Sequence, residues 1–341
     1  MSATKRLLRS PLVNLLVGPH GIDRYLELVR PTLTVSDARA EVVDVRRQTS
    51  RSVTLTLHPN AAFGGFKAGQ FVRVGVVLDG VRRTRTYSPA SSQHDRRELE
   101  LTVTVHPGGL VSTRLREGLG PGTVVHLGEA GGDFVLPQPR PERLALISGG
   151  SGVTPLMSML RTLRDERYRG EIDFIHFAHT AADWLYRPEA ERLSGGRARF
   201  VATREGGGYL SDQIIDDRAY AAVCGPPALL QAARELFAPE RLLTETFTPP
   251  TLAVTDAVQG TLRLLQSSRE VPLAGGSLLE QVEAAGLQPE FGCRMGICHT
   301  CTCRKTAGAI RDMRTGAISD EEDEDIQLCV SVPAGDVALE I

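Results

Sequence analysis

The chain has 341 residues, 41% of them hydrophobic and 23% charged, a make-up that fits two or three folded domains and excludes a single small module, a disordered tail protein and a collagen-like chain. Lys and Arg number 39 against 41 Asp and Glu, which argues against bulk electrostatic binding of nucleic acid. The near-neutral total conceals an asymmetry: residues 251–341 carry 7 basic and 14 acidic residues, a net of -7 that leaves +5 for residues 1–250.

Residues 1–36 are predicted to form a helical extension, with Leu7, Leu8, Leu12, Leu15, Leu16, Tyr25, Leu26, Leu28 and Val29 at helical spacing and Lys5, Arg6, Arg9, Arg24 and Arg30 between them. Asn14 interrupts the apolar stretch at 10–18, no small-residue cleavage site follows it, and no run of 18 apolar residues occurs anywhere, so the expected location is the cytoplasm. From 37 to 141 apolar and polar residues alternate, as in Val53–Leu57 and Leu99–Val105, the pattern of an antiparallel barrel or sandwich. From 142 to 248 short buried strands are followed by helices: Leu144–Ser148 then Leu156–Arg167, Ile172–Ala178, Phe200–Thr203, and Ala221–Cys224 then Ala228–Phe237. That order predicts a parallel α/β unit. Residues 249–341 are mixed, with one helix at Leu278–Ala285. The boundaries fall in two proline-rich seams, Pro137–Pro141 and Thr248–Thr251, which neither a helix nor a central strand can continue through.

Five of the six cysteines fall between 293 and 329, which points to a metal centre rather than a disulfide scaffold. Four residues separate Cys293 from Cys298, two separate Cys298 from Cys301, and 27 separate Cys301 from Cys329, the plant-type [2Fe-2S] spacing. Four thiolates must wrap a compact diamond core, and the sulfurs want backbone N–H donors; Gly292 and Gly296 let the loop approach closely enough to supply them. A structural zinc site is the competing arrangement, since the same thiolates suit a tetrahedron. Cys303 reads as a strand-core thiol rather than a fifth ligand. The acidic run Asp320–Asp325 is either a solvated face or a docking surface.

With that cysteine pattern, residues 252–341 resemble a plant-type ferredoxin domain placed C-terminal to a flavin reductase, and residues 37–341 resemble the ferredoxin-NADP reductase superfamily. The resemblance implies a multidomain protein: an antiparallel β-barrel FAD domain, an α/β nicotinamide domain with a parallel sheet, and an α+β ferredoxin domain of the β-grasp type. Arg85-Thr86-Tyr87-Ser88 matches the superfamily's R-x-Y-S flavin motif: a guanidinium suits a pyrophosphate, an aromatic ring can stack on the isoalloxazine, and a hydroxyl can hydrogen-bond flavin N5. Gly108-Gly109-Leu110-Val111-Ser112-Thr113 resembles the segment where a helix N-terminus meets the flavin diphosphate, which favours FAD over FMN. Gly149-Gly150-Ser151-Gly152-Val153-Thr154-Pro155 resembles the nicotinamide-domain loop, with Pro155 suited to a first helical turn. Cys224-Gly225-Pro226 resembles the motif whose thiol lies beside the nicotinamide, and Glu245 and Phe247, read in the last strand, match the terminal acidic and aromatic residues near the flavin. No acidic residue stands after the second strand of this unit to accept a ribose 2'-hydroxyl, and Arg187, Arg192 and Arg204 are within plausible reach of a 2'-phosphate, so NADPH is favoured over NADH.

The implied activity is electron splitting, with hydride passing from NAD(P)H to FAD and single electrons passing on through the cluster, held by Cys293, Cys298, Cys301 and Cys329, to a partner protein. The basic extension favours a membrane di-iron fatty-acyl desaturase as that partner, with peripheral contact at the inner face of the membrane, or simple packing of the extension on the barrel. A soluble oxygenase or hydroxylase component is the alternative acceptor, and a flavin and iron-sulfur redox sensor the alternative outside catalysis.

Overall fold

Strands dominate from residue 39 to 131 because an apolar side chain recurs at alternate positions. The computed structural model describes residues 22–78, 81–105, 109–213, 216–248 and 259–341, in two compact units, Met1–Phe247 and Thr248–Ile341. In the first unit β1 (Arg39–Arg47), β2 (Ser52–Pro59), β3 (Phe71–Leu78), β4 (Val81–Tyr87), β5 (Leu99–Thr104) and β6 (Val124–Gly131) make an antiparallel sheet in the order β4-β3-β6-β1-β2-β5. Val42, Leu55, Val74, Leu101 and Val125, from five of these strands, meet in one core, as a sheet curled round its own apolar face requires.

Of the predicted helical extension only residues 22–36 are described, and 30–36 are not helical. Helix α1 covers only Asp23–Val29 and buries no side chain, and residues 1–21, with Leu7 to Leu16 among them, lie outside the described residues. The chain from 30 to 36 leaves the helix because Asp23 captures it: its carboxylate accepts from the Val35 and Ser36 amides at 2.5 and 2.9 Å. Helix α2 (Leu110–Glu117) adds Val111 and Leu115 to the barrel core.

The second sheet of this unit is wholly parallel. It contains β7 (Arg143–Gly149), β8 (Glu171–Ala178), β9 (Ala198–Ala202), β10 (Tyr220–Cys224) and β11 (Leu242–Glu245), in the order β11-β10-β7-β8-β9. Three helices accompany them, α3 (Val153–Asp165), α4 (Arg187–Leu193) and α5 (Pro227–Leu236). The order reverses between β7 and β10, and at such a switch point the carboxyl ends of the strands open a crevice. Glu245, Cys224, Ser148, His176 and Phe200 stand in register across all five strands, a single transverse row at that end of the sheet.

Arg161 of α3 locks this sheet to the barrel. Its guanidinium holds Glu189 through two bonds of 2.9 and 2.8 Å and reaches Glu100 of β5 and the Ala90 carbonyl, both at 2.8 Å. Tyr186 donates to the same Glu100 at 3.1 Å and pairs with Thr102 of β5.

In the second unit β12 (Thr261–Leu264), β13 (Arg269–Pro272), β14 (Thr302–Asp312), β15 (Ile318–Ser319), β16 (Glu324–Gln327) and β17 (Ser331–Leu339) form a mixed sheet, ordered β13-β12-β17-β14-β15 with β16 also on β14. β12 and β17 run parallel at its centre, and helix α6 (Leu278–Ala284) packs Leu278, Leu279 and Val282 into its core, the β-grasp arrangement. Ser277 and Glu280 close a capping box at the start of α6. Among the described residues no helix is long and apolar enough to cross a membrane.

Candidate functional site

Arg85, Thr86 and Tyr87 end β4 and Ser88 follows it. Strand alternation sets Arg83, Arg85 and Tyr87 on one face. Tyr87 packs on the barrel core, and burial pushes its hydroxyl well above the ordinary tyrosine value. Arg85 bends back to donate to the Thr84 carbonyl at 2.8 Å. Ser88 is buried, and its hydroxyl has no hydrogen-bond partner among the described residues. A buried hydroxyl without a partner costs about 1–3 kcal/mol, so this position suits a group supplied from outside the chain.

Gly109 caps α2, and its carbonyl accepts from the Ser112 hydroxyl at 3.1 Å and the Thr113 amide at 3.0 Å. Gly108 lies outside the described residues. A cavity of about 410 Å3 opens beside this helix, lined by Leu78, Arg83, Leu110, Thr113 and Arg114 among others. Arg83 and Arg114 were not singled out from the sequence. The available signal was the repetition Arg83-Thr84-Arg85, which places two cations on one strand face.

The glycines at the head of the parallel sheet serve two purposes. Gly150 has φ +56 and nothing within 4 Å of where a Cβ would stand, an open backbone. At Gly152 a Cβ would lie 2.3 Å from the Cys224 carbonyl oxygen and 3.0 Å from its sulfur, and at Gly149 one would meet Pro226 at 2.7 Å. The 149–155 loop is therefore pressed onto the Cys224-Gly225-Pro226 turn, and bare backbone at Gly149 and Gly152 serves that contact. The helix begins at Val153 rather than Leu156, so Thr154 and Pro155 lie in its first turn.

Cys224 and Glu245 are neighbours on parallel strands. Burial pushes the Glu245 carboxyl up to about 8, and its Oε2 has no partner among the described residues. Burial, with Glu245 second, pushes the Cys224 thiol up, so both groups are neutral at pH 7. His176, next but one in the same row, is also neutral: burial takes it down to about 3, and its Nδ1 pairs with the Ser148 hydroxyl at 2.9 Å. Phe247 corrects the sequence reading, because β11 ends at Glu245; Phe247 lies beyond the strand and packs on the cluster that contains Ala90, Val153 and Cys224.

Of the three arginines considered for a 2'-phosphate, Arg187 is engaged elsewhere. Its guanidinium lies 4.9 Å over the Trp184 ring and binds Glu191 at 2.8 Å. Arg204 follows β9, and its amide donates to the His179 carbonyl at 3.0 Å, which joins the chain after β9 to the chain after β8. Arg192 sits in the last turn of α4. Asp183, the first acidic residue after β8, accepts from Thr180 at 2.8 Å. Tyr209, 81% exposed, is an aromatic near this corner that no spacing rule picked out.

In the second unit the four cysteines of the predicted centre come together from one loop and a remote turn. Cys293 lies in hydrogen-bonding reach of Cys298 and Cys329, and Cys329 also of Cys301. Sharing protons this way lowers the Cys293 and Cys301 thiols and raises Cys298 and Cys329. Backbone amides face the sulfurs: Cys293 N–H donates to Cys298 Sγ at 3.2 Å and Met295 N–H to Cys293 Sγ at 3.3 Å. A Cβ on Gly292 would fall 2.8 Å from Cys298 Sγ, so this loop needs bare backbone there. Among the described residues no group of three or more His, Cys, Asp or Glu converges as a metal site by simple proximity. The thiols approach one another in pairs, Cys293 with Cys298 and Cys329, and Cys329 with Cys301. Cys303 sits on β14 and packs on the sheet core, with its thiol pushed up to about 11 by burial.

Three family models match the chain in succession: an oxidoreductase FAD-binding domain over residues 41–135, an oxidoreductase NAD-binding domain over 146–235 and a 2Fe-2S iron-sulfur cluster binding domain over 263–334. The chain is 36% identical over 337 residues to an NADPH oxidoreductase of Mycobacterium tuberculosis, covering 94% of this chain and 88% of that one. It is 30% identical over 318 residues to the glycine betaine monooxygenase reductase subunit of Pseudomonas aeruginosa, covering 81% and 87%. The solved structure of phthalate dioxygenase reductase superposes with a TM-score of 0.65 at 20% identity, over 89% of this chain and 97% of that one. The chain belongs to the ferredoxin-NADP reductase superfamily, as a member with FAD-binding, NAD-binding and C-terminal [2Fe-2S] domains in that order, and it is an NAD(P)H-dependent oxidoreductase.

Proposed function

We propose that this protein is the reductase component of an oxygenase system, taking electrons from NADPH and delivering them singly to an oxygen-activating partner protein. What carries the reading is the glycine betaine monooxygenase reductase subunit, similar over most of both chains. We take the flavin domain as residues 37–141, the nicotinamide domain as 142–248 and the cluster domain as 249–341.

When bound, FAD accepts hydride from the nicotinamide and the [2Fe-2S] cluster carries one electron at a time. The chain's own residues hold and orient these groups. Arg85 and the start of α2, with Gly109, Val111, Ser112 and Thr113, face the flavin diphosphate; Thr86 and Tyr87 line the isoalloxazine; Ser88 offers its unpartnered hydroxyl to the ring edge. The cavity beside α2 receives the adenosine half, which supports FAD over FMN. Gly150, with its open backbone, and the first turn of α3 (Val153, Thr154, Pro155) take the nucleotide pyrophosphate. Cys224, Gly225 and Pro226 form the floor under the nicotinamide, and Glu245 and Phe247 close it from the neighbouring strand and its exit. Arg204 takes the 2'-phosphate, a preference that the name of the mycobacterial NADPH oxidoreductase supports. Cys293, Cys298, Cys301 and Cys329 ligate the cluster. Neutral Cys224 and Glu245 keep a hydride-accepting site free of fixed negative charge, which suits a nucleotide that is itself anionic.

The membrane desaturase remains as a second reading on one observation. Leu28 and Val29 of α1 are 76% and 80% exposed, with Arg24 and Arg30 beside them, an apolar and basic edge suited to a lipid surface. The purified reductase with NADPH separates the two: oxygenase components in membrane-free solution should accelerate NADPH oxidation with coupled substrate oxygenation. Turnover only with membranes holding a desaturase would replace the first reading with the second.

A further inference from the structure

The cavity beside α2 holds two cations with no counter-charge. Leu110, Thr113, Arg114 and Gly118 line it from the helix and its end, and Leu78 and Arg83 line it from β3 and β4. The helical members fall on one stripe, so the groove follows the side of α2 away from its N-terminus, over about 12 Å at 1.5 Å per residue. Neither Arg83 nor Arg114 makes an ion pair or a side-chain hydrogen bond among the described residues. Glu117, the acidic residue on the same rim, is paired with Arg116 at 3.4 Å. A Cβ on Gly118 would lie 2.3 Å from Arg114 Nη1 and 2.8 Å from its Cζ, so the guanidinium is laid against bare backbone at the end of the groove. Arg83, Arg85 and Tyr87 share one face of β4, each about 7 Å from the next.

We propose that Arg83 and Arg114 are the residues that select FAD over FMN, Arg83 by binding the adenosine-side phosphate and Arg114 by laying its guanidinium plane on the purine. The order Tyr87, Arg85, Arg83 along β4 repeats the order of isoalloxazine, flavin-side phosphate and adenosine-side phosphate along FAD. Arg83 supplies a charge-assisted donor to the second phosphate. Arg114, four residues into α2, is where a nucleoside running along the helix ends, and a planar guanidinium stacks on an aromatic base. The apolar side chains of Leu78 and Leu110 offer the remaining walls. FMN, with one phosphate and no purine, meets Arg85 and reaches neither of the two. Arg114 also stands in the last turn of α2, where any cation favours the helix carbonyls; a lysine serves that end equally well but has no plane to stack.

This inference rests on the placement of flavin in the barrel proposed above, and its test separates the two. Full-length protein freed of flavin is titrated with FAD and with FMN, and flavin fluorescence gives both affinities. Arg83→Met and Arg114→Met should each weaken FAD binding about tenfold and leave FMN binding unchanged. Arg114→Lys should recover little of the loss. Gly118→Ala, which displaces the guanidinium and removes no charge, should weaken FAD in the same sense. Wild-type FAD affinity in either methionine variant overturns the inference, as does a loss shared equally by FMN or a full rescue by Arg114→Lys. If Arg114→Met does not fold, Gly118→Ala decides, and an unchanged ratio of FAD to FMN affinity overturns the inference. Wild-type protein that binds FMN as tightly as FAD, or neither flavin, would instead refute the FAD reading.

Discussion

At single residues, chemistry and packing make separable demands. Cys303 lies two positions past Cys301 but is carried by β14 against the sheet core, whereas Cys329 reaches the other three cysteines from a turn 28 positions past Cys301. Serine at 293, 298, 301 or 329 should abolish the cluster's visible and paramagnetic signals, and Cys303→Ser should retain them; metal analysis of the five variants checks this. Glu245 gives a pH signature. Its folded carboxyl titrates near 8 against an ordinary 4.5, so the folded state binds the proton more tightly and stability falls as pH rises between those values, at about 1.4 kcal/mol per unit. Glu245→Gln should remove that slope, read from chemical denaturation of the full-length protein at pH 5, 6.5 and 8, followed through the unit Met1–Phe247. The motif residues were legible one by one, but their partners were not. The sequence suggested glycines near a pyrophosphate, yet only the fold shows that Gly152 clears space for Cys224, because that contact joins segments 72 residues apart in the chain.

At the scale of elements, periodicity carried most of the information. Every strand and helix singled out between 144 and 237 is present with ends displaced by three residues or fewer, since buried parallel strands leave unbroken apolar runs. What periodicity does not encode is capture by a distant side chain, which is why 30–36 is no helix and why the acidic run 320–325 is not uniformly solvated. Glu324 turns inward to Lys305, a lysine with no exposed side-chain surface that binds it at 3.1 Å and the Gly308 carbonyl at 2.6 Å. The joint between the flavin and nicotinamide halves is likewise an element-level device, made by Arg161 between Glu100 and Glu189. Arg161→Met removes the shared cation from two partly buried carboxylates, with Glu100 keeping Tyr186 and Arg46 as partners, and should cost about 1–3 kcal/mol. Arg161→Lys, which keeps charge without the planar fork, should recover only part, as urea denaturation of the two variants would show.

At the scale of the whole molecule, three chemistries lie along the chain in the order in which the motifs appear, which is why composition, two proline seams and a cysteine spacing sufficed to read the architecture. The acceptor was less legible, because a docking partner is chosen by surface shape and charge that no motif records. The central claim is that reducing equivalents entering as a nucleotide hydride leave through the iron-sulfur centre. Anaerobic mixing of the fully loaded protein with NADPH, followed by rapid visible spectroscopy and freeze-quench paramagnetic resonance, tests it most directly. The flavin band should bleach first, and the signal of the reduced cluster should then grow at the flavin's expense. A flavin that is fully reduced while the cluster stays oxidised would contradict the account.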